Sequence, residues 1–351
     1  MVGTELEQRG GVATVLRAWR DQGLFKRQAV HYVATNRGSG SLPKVISAII
    51  AWTNCLRVMV FRSPLLVHIH TSSFVSFWRK SPIMAFAIVL RVPFIVSLHG
   101  GAFQSFYDAA PVFFRAWIRF VMRSSARFVV LSNRWREWVL YTEPRARVEV
   151  IPNPAPTIDW PLPERADDSQ PTLLFLGRIE HAKGIDVLLS ALSIARARGA
   201  SWHLVAAGVG DLAFAKGLQR RLGLAEHVVQ WPGWADTEMK RSLFATCSAL
   251  VLPSRIENMP VVILEAWACG RAVLSTCVGG IADMIEEGVN GWTCQSGEEA
   301  SFAELLVRAW GAREQLDAMG LNGMRKVIAE YDLATVIERV ETLYKTIQSE
   351  G

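Results

Sequence analysis

The sequence predicts two α/β units, each a doubly wound parallel sheet, facing each other across a cleft. Three observations predict this. Short apolar runs rich in β-branched residues alternate with helical stretches, as buried parallel strands alternate with crossover helices. A segment dense in proline and polar residues, 151–168 (IPNPAPTIDWPLPERADD), reads as a linker, and the alternation restarts after it. The charge divides at the same place. Residues 1–165 hold 21 Lys and Arg against 9 Asp and Glu, a net +12, whereas 166–351 hold 17 against 23, a net −6. At 351 residues the chain is about two to three times the commonest domain size, so two domains is the expectation. Half of the residues are apolar, which excludes a disordered chain.

In the first half only Met1-Val2-Gly3 precedes the first loop, so the opening strand is short or begins upstream of Met1. Gly10-Gly11 follow, with a helix starting near Ala13. Strands are predicted at 65–70 (LLVHIH), 94–99 (FIVSLH) and 127–131 (RFVVL), with a helix over 111–124. In the second half the strands are 171–176, 202–207, 228–231, 249–252 and 272–275. Helices are predicted over 184–198, 212–222 and 236–246, from Pro260, from Ile281 and through the tail from Ser301.

Cys55, Cys247, Cys269, Cys277 and Cys294 are odd in number and show no CxxC spacing, which argues against a zinc site or a disulfide framework and fits a reducing compartment. The start, MVGTELEQRGG, lacks the basic and apolar regions of a secretory signal. The apolar stretch 82–98 is broken by Arg91 and Pro93, short of the roughly 20 residues a spanning helix needs, so no transmembrane segment is expected.

Four features suit the gripping of a diphosphate and a sugar. Gly10-Gly11 lie between a strand end and a helix N-terminus, where backbone N–H groups face an anion; the same pair also fits an ordinary left-handed turn. Gly177-Arg178 and Lys183-Gly184 follow the first strand of the second half, where ligands sit in such sheets. Their cations suit a diphosphate leaving group, or form a solvated basic loop. Gly208-Val209-Gly210-Asp211 is a partial glycine fingerprint, with Ala213 in the last glycine position, which lowers a dinucleotide reading. The segment from Pro253 to Ala266 ends a strand, turns, and starts a helix at Pro260. It carries Glu257 in the loop and Glu265 in the second turn, about 7.5 Å of helix rise beyond Pro260, so two carboxylates are placed to reach distinct parts of an extended ligand. Either glutamate alone also fits a capping or surface role.

The spacing Glu257-x7-Glu265, with Gly177-Arg178 and Lys183-Gly184 before it, Gly279-Gly280 after it, and Gly10-Gly11 and His99-Gly100 in the first half, resembles the retaining glycosyltransferases of family 4. The segment 98–107 (LHGGAFQSFY) is most similar to bacterial enzymes that build exopolysaccharide repeat units on a lipid carrier. The resemblance implies a GT-B architecture of two Rossmann-like domains: 1–165 on the acceptor side and facing the membrane, 166–330 binding the nucleotide sugar, and a helix in 331–351 packing back on the first. It implies that Arg178 and Lys183 hold the donor diphosphate, that Glu257 touches the sugar hydroxyls and Glu265 the ribose, and that Gly10, Gly11 and Gly177 lie beside the diphosphate. His99 would lie beside the transferred sugar, and Asn258, Met259 and Pro260 would complete the cradle. His99, Glu257, Arg178 and Lys183 are thus the catalytic candidates. The donor would be a UDP- or GDP-sugar and the acceptor a glycan or polyprenyl-diphosphate-linked glycan, with no metal or other cofactor. No Asp-x-Asp occurs, and Asp167-Asp168 lie in the linker. Asn258 stands where many relatives have glycine or a small residue.

His70, Phe103, Gln104 and Tyr107 follow strand ends of the first half and are candidate acceptor-side residues; a structural role for His70 is the competing reading. Arg115, Arg119, Arg123 and Arg127 recur every four residues, among Phe113, Phe114, Trp117 and Phe120. Arg79 and Lys80 follow Phe74, Phe77 and Trp78, and Asp108 is the only acid between Arg79 and Arg136. With Trp117, these basic residues are expected to face the headgroups of an anionic membrane, on the cytoplasmic inner leaflet. A core helix with a solvated arginine stripe is the alternative. No nucleic-acid module is present. A sugar-nucleotide epimerase of the same architecture, or a non-catalytic membrane-bound scaffold, are the other functions the pattern admits.

Overall fold

The structure of the protein, a computed structural model, describes residues 1–8, 10–36, 41–62, 64–156 and 170–350. Two compact units result: Met1–Pro156 together with Leu333–Gly351, and Thr157–Asp332. Most of the segment read as a linker, 157–168, and the boundary placed at 165 lie outside the described residues. Residues 151–156 are neither helix nor strand.

The first unit holds a parallel sheet of β1 (Val2–Gly3), β2 (Val33–Ala34), β3 (Val67–Thr71), β4 (Phe94–Leu98), β5 (Arg127–Val130) and β6 (Val148–Val150), in the order β2-β1-β3-β4-β5-β6. The second holds β7 (Thr172–Leu176), β8 (His203–Ala207), β9 (Val229–Gly233), β10 (Ala249–Leu252), β11 (Ala272–Thr276) and β12 (Gly291–Cys294), in the order β12-β11-β10-β7-β8-β9. Both are doubly wound. The strand order reverses between β1 and β3 in one sheet and between β7 and β10 in the other, and ligands of such sheets bind beyond the strand ends at those points.

Strands β3, β4 and β11 are buried along their whole length, and their polar residues (His68, His70 and Thr71; Ser97; Ser275 and Thr276) are buried with them. Strand β1 has two residues, yet it lies between β2 and β3 and pairs with both. In the second unit Trp202, Trp267 and Trp292 are among the largest fully buried side chains. Much of the tryptophan content therefore builds core rather than surface.

The helix Leu333–Glu350 buries Val336, Ile337, Val340, Leu343 and Ile347 at helical spacing and belongs to the first unit. Tyr344 bonds His68 Nδ1 at 2.6 Å, while His68 Nε2 meets Ser97 Oγ at 2.7 Å. Glu341 pairs with Arg27 at 2.8 Å and Glu350 with Arg127 at 2.6 Å. The last pair corrects the arginine stripe. The helix runs Val112–Ser124 with Pro111 at its N-cap, so Arg127 falls beyond it and opens β5. Arg115, Arg119 and Arg123 are exposed on the helix, and Arg119 pairs with Glu143 at 3.2 Å.

Other basic and aromatic residues assigned to a membrane face turn inward. In the helix Val75–Val89, Phe77, Lys80, Met84 and Ala87 recur every three or four residues and form the buried stripe. Lys80 is only 2% exposed, so its helical phase overrides its charge. Arg79, next to it, is half-buried. Trp117 flanks the buried stripe Ile118–Val121–Met122, and its Nε1–H donates to Ser81 Oγ at 3.2 Å. Phe103 is fully buried against Phe77, Phe106 and Trp138, so it is a core residue and not an acceptor contact.

The helix Ser41–Phe61 was not anticipated. Over residues 43–61 it is long and apolar enough to cross a membrane by length and composition, against the expectation of no such segment, and 28% of its most apolar stretch is buried. Ala48, Ala51, Cys55 and Met59 face the core, whereas Val45, Ile46, Ile49, Ile50, Val60 and Phe61 are exposed.

Candidate functional site

In the second unit the predicted donor residues gather at the switch point, in the loops that follow β7 and β10. After β7 the chain runs through Gly177-Arg178 to a turn of 3-10 helix at His181–Lys183 and into the helix Ile185–Ala197. After β10 it forms the loop from Pro253 and enters the helix Val261–Ala268, with Pro260 at the N-cap, one position earlier than the sequence suggests.

The two loops are locked together. Arg255 forks onto Asp186, Nη1 to Oδ1 at 2.8 Å and Nη2 to Oδ2 at 2.7 Å, and Nη1 also reaches the His181 carbonyl at 2.7 Å. Partial burial pushes the Asp186 carboxyl upward, but the Arg255 bonds and charge outweigh it and hold it below the usual range. Gly184 has φ +71°, and a Cβ there would lie 1.9 Å from the Pro253 carbonyl oxygen. Only glycine allows both that backbone and that approach.

Lys183 and Glu257 meet across these loops, Nζ to Oε1 at 2.5 Å, and Ser254 Oγ–H donates to the same oxygen at 3.0 Å. Glu257 is 9% exposed and Lys183 more open. Arg178 sits at the open rim, paired with Glu180 at 2.8 Å. Asn258, Met259 and Pro260 are buried, and Gly280 N–H donates to the Asn258 carbonyl at 2.7 Å. Gly279, at φ +54°, packs so closely that a Cβ would stand 1.9 Å from the Glu257 carbonyl oxygen. The Gly279-Gly280 pair thus sets the position of the Glu257 loop. Gly208 and Gly210 act likewise against the chain after β7: a Cβ would meet the Gly177 carbonyl oxygen at 1.7 Å and that of Ile179 at 2.2 Å, respectively.

Glu265 is buried in the second helical turn. Lys240, from the helix Thr237–Thr246, donates to both its oxygens, at 2.7 and 3.0 Å. Burial raises the Glu265 carboxyl above its usual value, and the Lys240 charge and hydrogen bonds oppose that rise. No sequence motif marks Lys240, which lies 25 positions from its partner. The unit therefore carries two carboxylates, two lysines and a rim arginine, with a helix N-terminus between the carboxylates. That arrangement has acceptors for hydroxyls and donors for phosphate oxygens.

In the first unit, Gly10 is the N-cap of the helix Gly11–Asp21 with φ +144° and no side-chain cap. His70, at the end of β3, is 1% exposed, and its Nδ1 lies 3.0 Å from Nε2 of His99, which follows β4. Burial, with nearby positive charge, keeps His70 well below the ordinary histidine value and takes His99 down to about 4, so both are neutral at pH 7. Gln104 is exposed and Tyr107 half-buried against Trp138. Among the described residues no group of three or more His, Cys, Asp or Glu is placed to hold a metal ion.

Comparison with known proteins agrees with this geometry. The model of "Glycosyltransferase Family 4" matches residues 2–158 and that of "Glycosyl transferases group 1" matches 170–311. The lipopolysaccharide 1,6-galactosyltransferase of Escherichia coli K12 is 34% identical over 165 residues, 45% of this chain and 45% of that protein. The amylovoran biosynthesis glycosyltransferase AmsK of Erwinia amylovora is 26% identical over 181 residues, 48% of this chain and 44% of that one. The chain thus matches less than half the length of these curated relatives. Among solved structures, sucrose-phosphate synthase of Thermosynechococcus elongatus superposes with TM-score 0.79 at 15% identity, covering 100% of this chain and 98% of that one. HepE of Anabaena, solved with UDP-glucose, superposes with TM-score 0.74 at 17% identity, covering 99% and 98%. The two parallel sheets are those of the GT-B fold, and the chain belongs to the glycosyltransferases of family 4.

Proposed function

We propose that the protein moves a sugar from a UDP- or GDP-sugar to a glycan or lipid-linked acceptor, with retention of configuration and without a metal, in the synthesis of a bacterial surface polysaccharide or exopolysaccharide. The observation that carries this is the convergence of Lys183–Glu257 and Lys240–Glu265 on one switch point, with Arg178 at its rim. Without ligand, each carboxylate is neutralised by its lysine. A donor diphosphate would draw Lys183 toward its oxygens, freeing Glu257 to accept from sugar hydroxyls, while Glu265 accepts from the ribose. The names of the galactosyltransferase and amylovoran relatives, and the UDP-glucose bound to the Anabaena neighbour, support this class of substrate.

As the glycosidic bond breaks, negative charge grows on the diphosphate. Arg178 and Lys183, once drawn onto its oxygens, would stabilise that charge, and such electrostatic stabilisation is the main source of rate in sites of this kind. The acceptor hydroxyl would attack from the same face as the departing diphosphate, which takes its proton. Neutral His99 would donate or accept a hydrogen bond beside the sugar.

The first unit supports peripheral attachment to an anionic inner leaflet. Exposed Val112, Phe113 and Phe114 adjoin exposed Arg115, Arg119 and Arg123, and the helix Ser41–Phe61 adds a second exposed apolar face.

A thermal-shift screen over UDP- and GDP-sugars tests the donor: at a hundred times its dissociation constant a true donor adds about 2.7 kcal/mol of stability. Anomeric NMR of the product reads retention. Near wild-type turnover in both Arg178→Ala and Lys183→Ala would remove the mechanism, and equal flotation on anionic and neutral liposomes would remove the membrane role.

A further inference from the structure

The switch point of the first sheet, between β1 and β3, opens into a cavity of about 270 Å³. It is lined by Gly10 and Gly11 at the helix N-terminus, by His70, and by Ser76, Arg79 and Lys80 of the helix Val75–Val89. Among the described residues no carboxylate lines it. Its charge is therefore uncompensated. Lys80 is 2% exposed and makes one described hydrogen bond, to Ser76 Oγ at 2.8 Å, although an ammonium has three donors. Among the described residues Arg79 Nε is buried with no partner, and Nη1 reaches Asn36 Oδ1 at 3.4 Å. Among the described residues neither cation has an ion-pair partner. Burying a lysine beside an arginine without a counterion is costly.

The remaining walls are also donors. The first-turn N–H groups of the helix Gly11–Asp21 have no intrahelical acceptors, and that turn holds no acidic residue. His70 Nε2 is buried without a partner. In the tautomer where His99 Nε2–H donates to His70 Nδ1, His70 Nε2 carries a hydrogen to donate. The loop that bears Gly10 is preset: Arg17 Nη1 holds the Leu6 carbonyl at 2.6 Å.

We propose that this cavity is a binding site for a phosphoryl group, held as an anion by Lys80, Arg79, His70 Nε2 and the N-terminus of the helix Gly11–Asp21. The inference rests on the proposed function for its physiological ligand, since both the nucleotide-sugar donor and a lipid-linked acceptor carry phosphoryl groups. Arg79 and Lys80 then serve substrate rather than membrane.

Isothermal titration of the full chain with inorganic phosphate and pyrophosphate tests it. Lys80→Met, which keeps the buried volume, is expected to weaken binding roughly 10- to 100-fold while remaining folded. A second reading uses the native protein alone. The charged neighbours of Lys80 are Arg79 on its own helix, and its titratable neighbours on other strands are His70 and His99; burial beside Arg79 lowers Lys80 to about 7. At about pH 8.5, where phosphate is already a dianion, binding must recharge Lys80, so the heat will vary with buffer ionisation enthalpy by close to one proton taken up. Lys80→Met will not show this uptake. Competition between phosphate and UDP identifies the donor diphosphate as the occupant; additive binding identifies an acceptor phosphate. Absence of phosphate and pyrophosphate binding, or equal binding by Lys80→Met, overturns the site. If phosphate binds but no nucleotide sugar does, the proposed function falls and the site stands.

Discussion

Lys240 grips both carboxylate oxygens of Glu265, at 2.7 and 3.0 Å, from a helix that the sequence does not connect to it. Glu265 is 4% exposed, so the pair is held where a lone charge is costly. Lys240→Met leaves that carboxylate unpartnered. The expected loss is about 1–3 kcal/mol, below the value for a fully buried pair because Lys240 is partly solvated. Urea denaturation reads it, and the double variant Lys240→Met/Glu265→Gln should recover part of it.

Lys183 and Glu257 form the second pair, and here activity should move as well as stability. Removing a positioned donor from a site where charge develops costs on the order of 10²–10³ in turnover. Lys183→Met is expected to fall in that range. Glu257→Gln keeps the shape and should raise the donor KM together with a fall in kcat. Steady-state transfer assays distinguish these outcomes, and an unaffected kcat in Lys183→Met would contradict the role.

Gly279→Ala probes the support beneath Glu257. The new methyl would meet the Glu257 carbonyl oxygen at a position whose φ of +54° already disfavours alanine. The expected cost is about 1–3 kcal/mol of stability, with weaker donor binding because the loop must shift. A variant with unchanged melting temperature and unchanged donor affinity would show that the loop is not set by this contact.

Lys80 makes stability depend on pH in an unusual direction. Its pKa is lowered from 10.5 to about 7 by burial and by Arg79. Between those two values the unfolded chain binds a proton that the folded chain does not, so folding stability rises with pH across that window. Below pH 7 both states are charged and the penalty is complete. The slope contributed is up to about 1.4 kcal/mol per pH unit. Melting curves from pH 7 to 10 should show it in the wild type and lose it in Lys80→Met, and saturating phosphate should flatten it.

Much of the fold was legible because β3, β4, β10 and β11 are buried on both faces and so are rich in β-branched and apolar residues, with only β10 apolar throughout. Strands β1 and β2, at two residues each, are too short to show any period. The helix Ser41–Phe61 is apolar on its exposed side as well as its buried one, so no contrasting stripe marks it. The carboxylates Glu257 and Glu265 stood out in the sequence because one loop and the helix after it carry both. Lys240 and the Arg255–Asp186 fork were not, since only tertiary folding joins residues 25 and 69 positions apart. Lys80 was misread through its neighbour: adjacency to Arg79 suggested a basic surface, while spacing from Phe77 and Met84 already placed it on the inward stripe.

The first unit is built from both ends of the chain, with Tyr344 closing over His68. Synthesis therefore meets an inverted schedule. Domains ordinarily mature in the order in which they leave the ribosome, but here the amino-terminal sheet emerges first and must wait for residues 333–350 before its His68 side is sealed. The carboxy-terminal sheet, translated in between, has every residue it needs sooner. A nascent chain stalled before residue 333 would thus carry a finished second unit and an unfinished first one, whose exposed β3 flank is what a chaperone would be expected to shield.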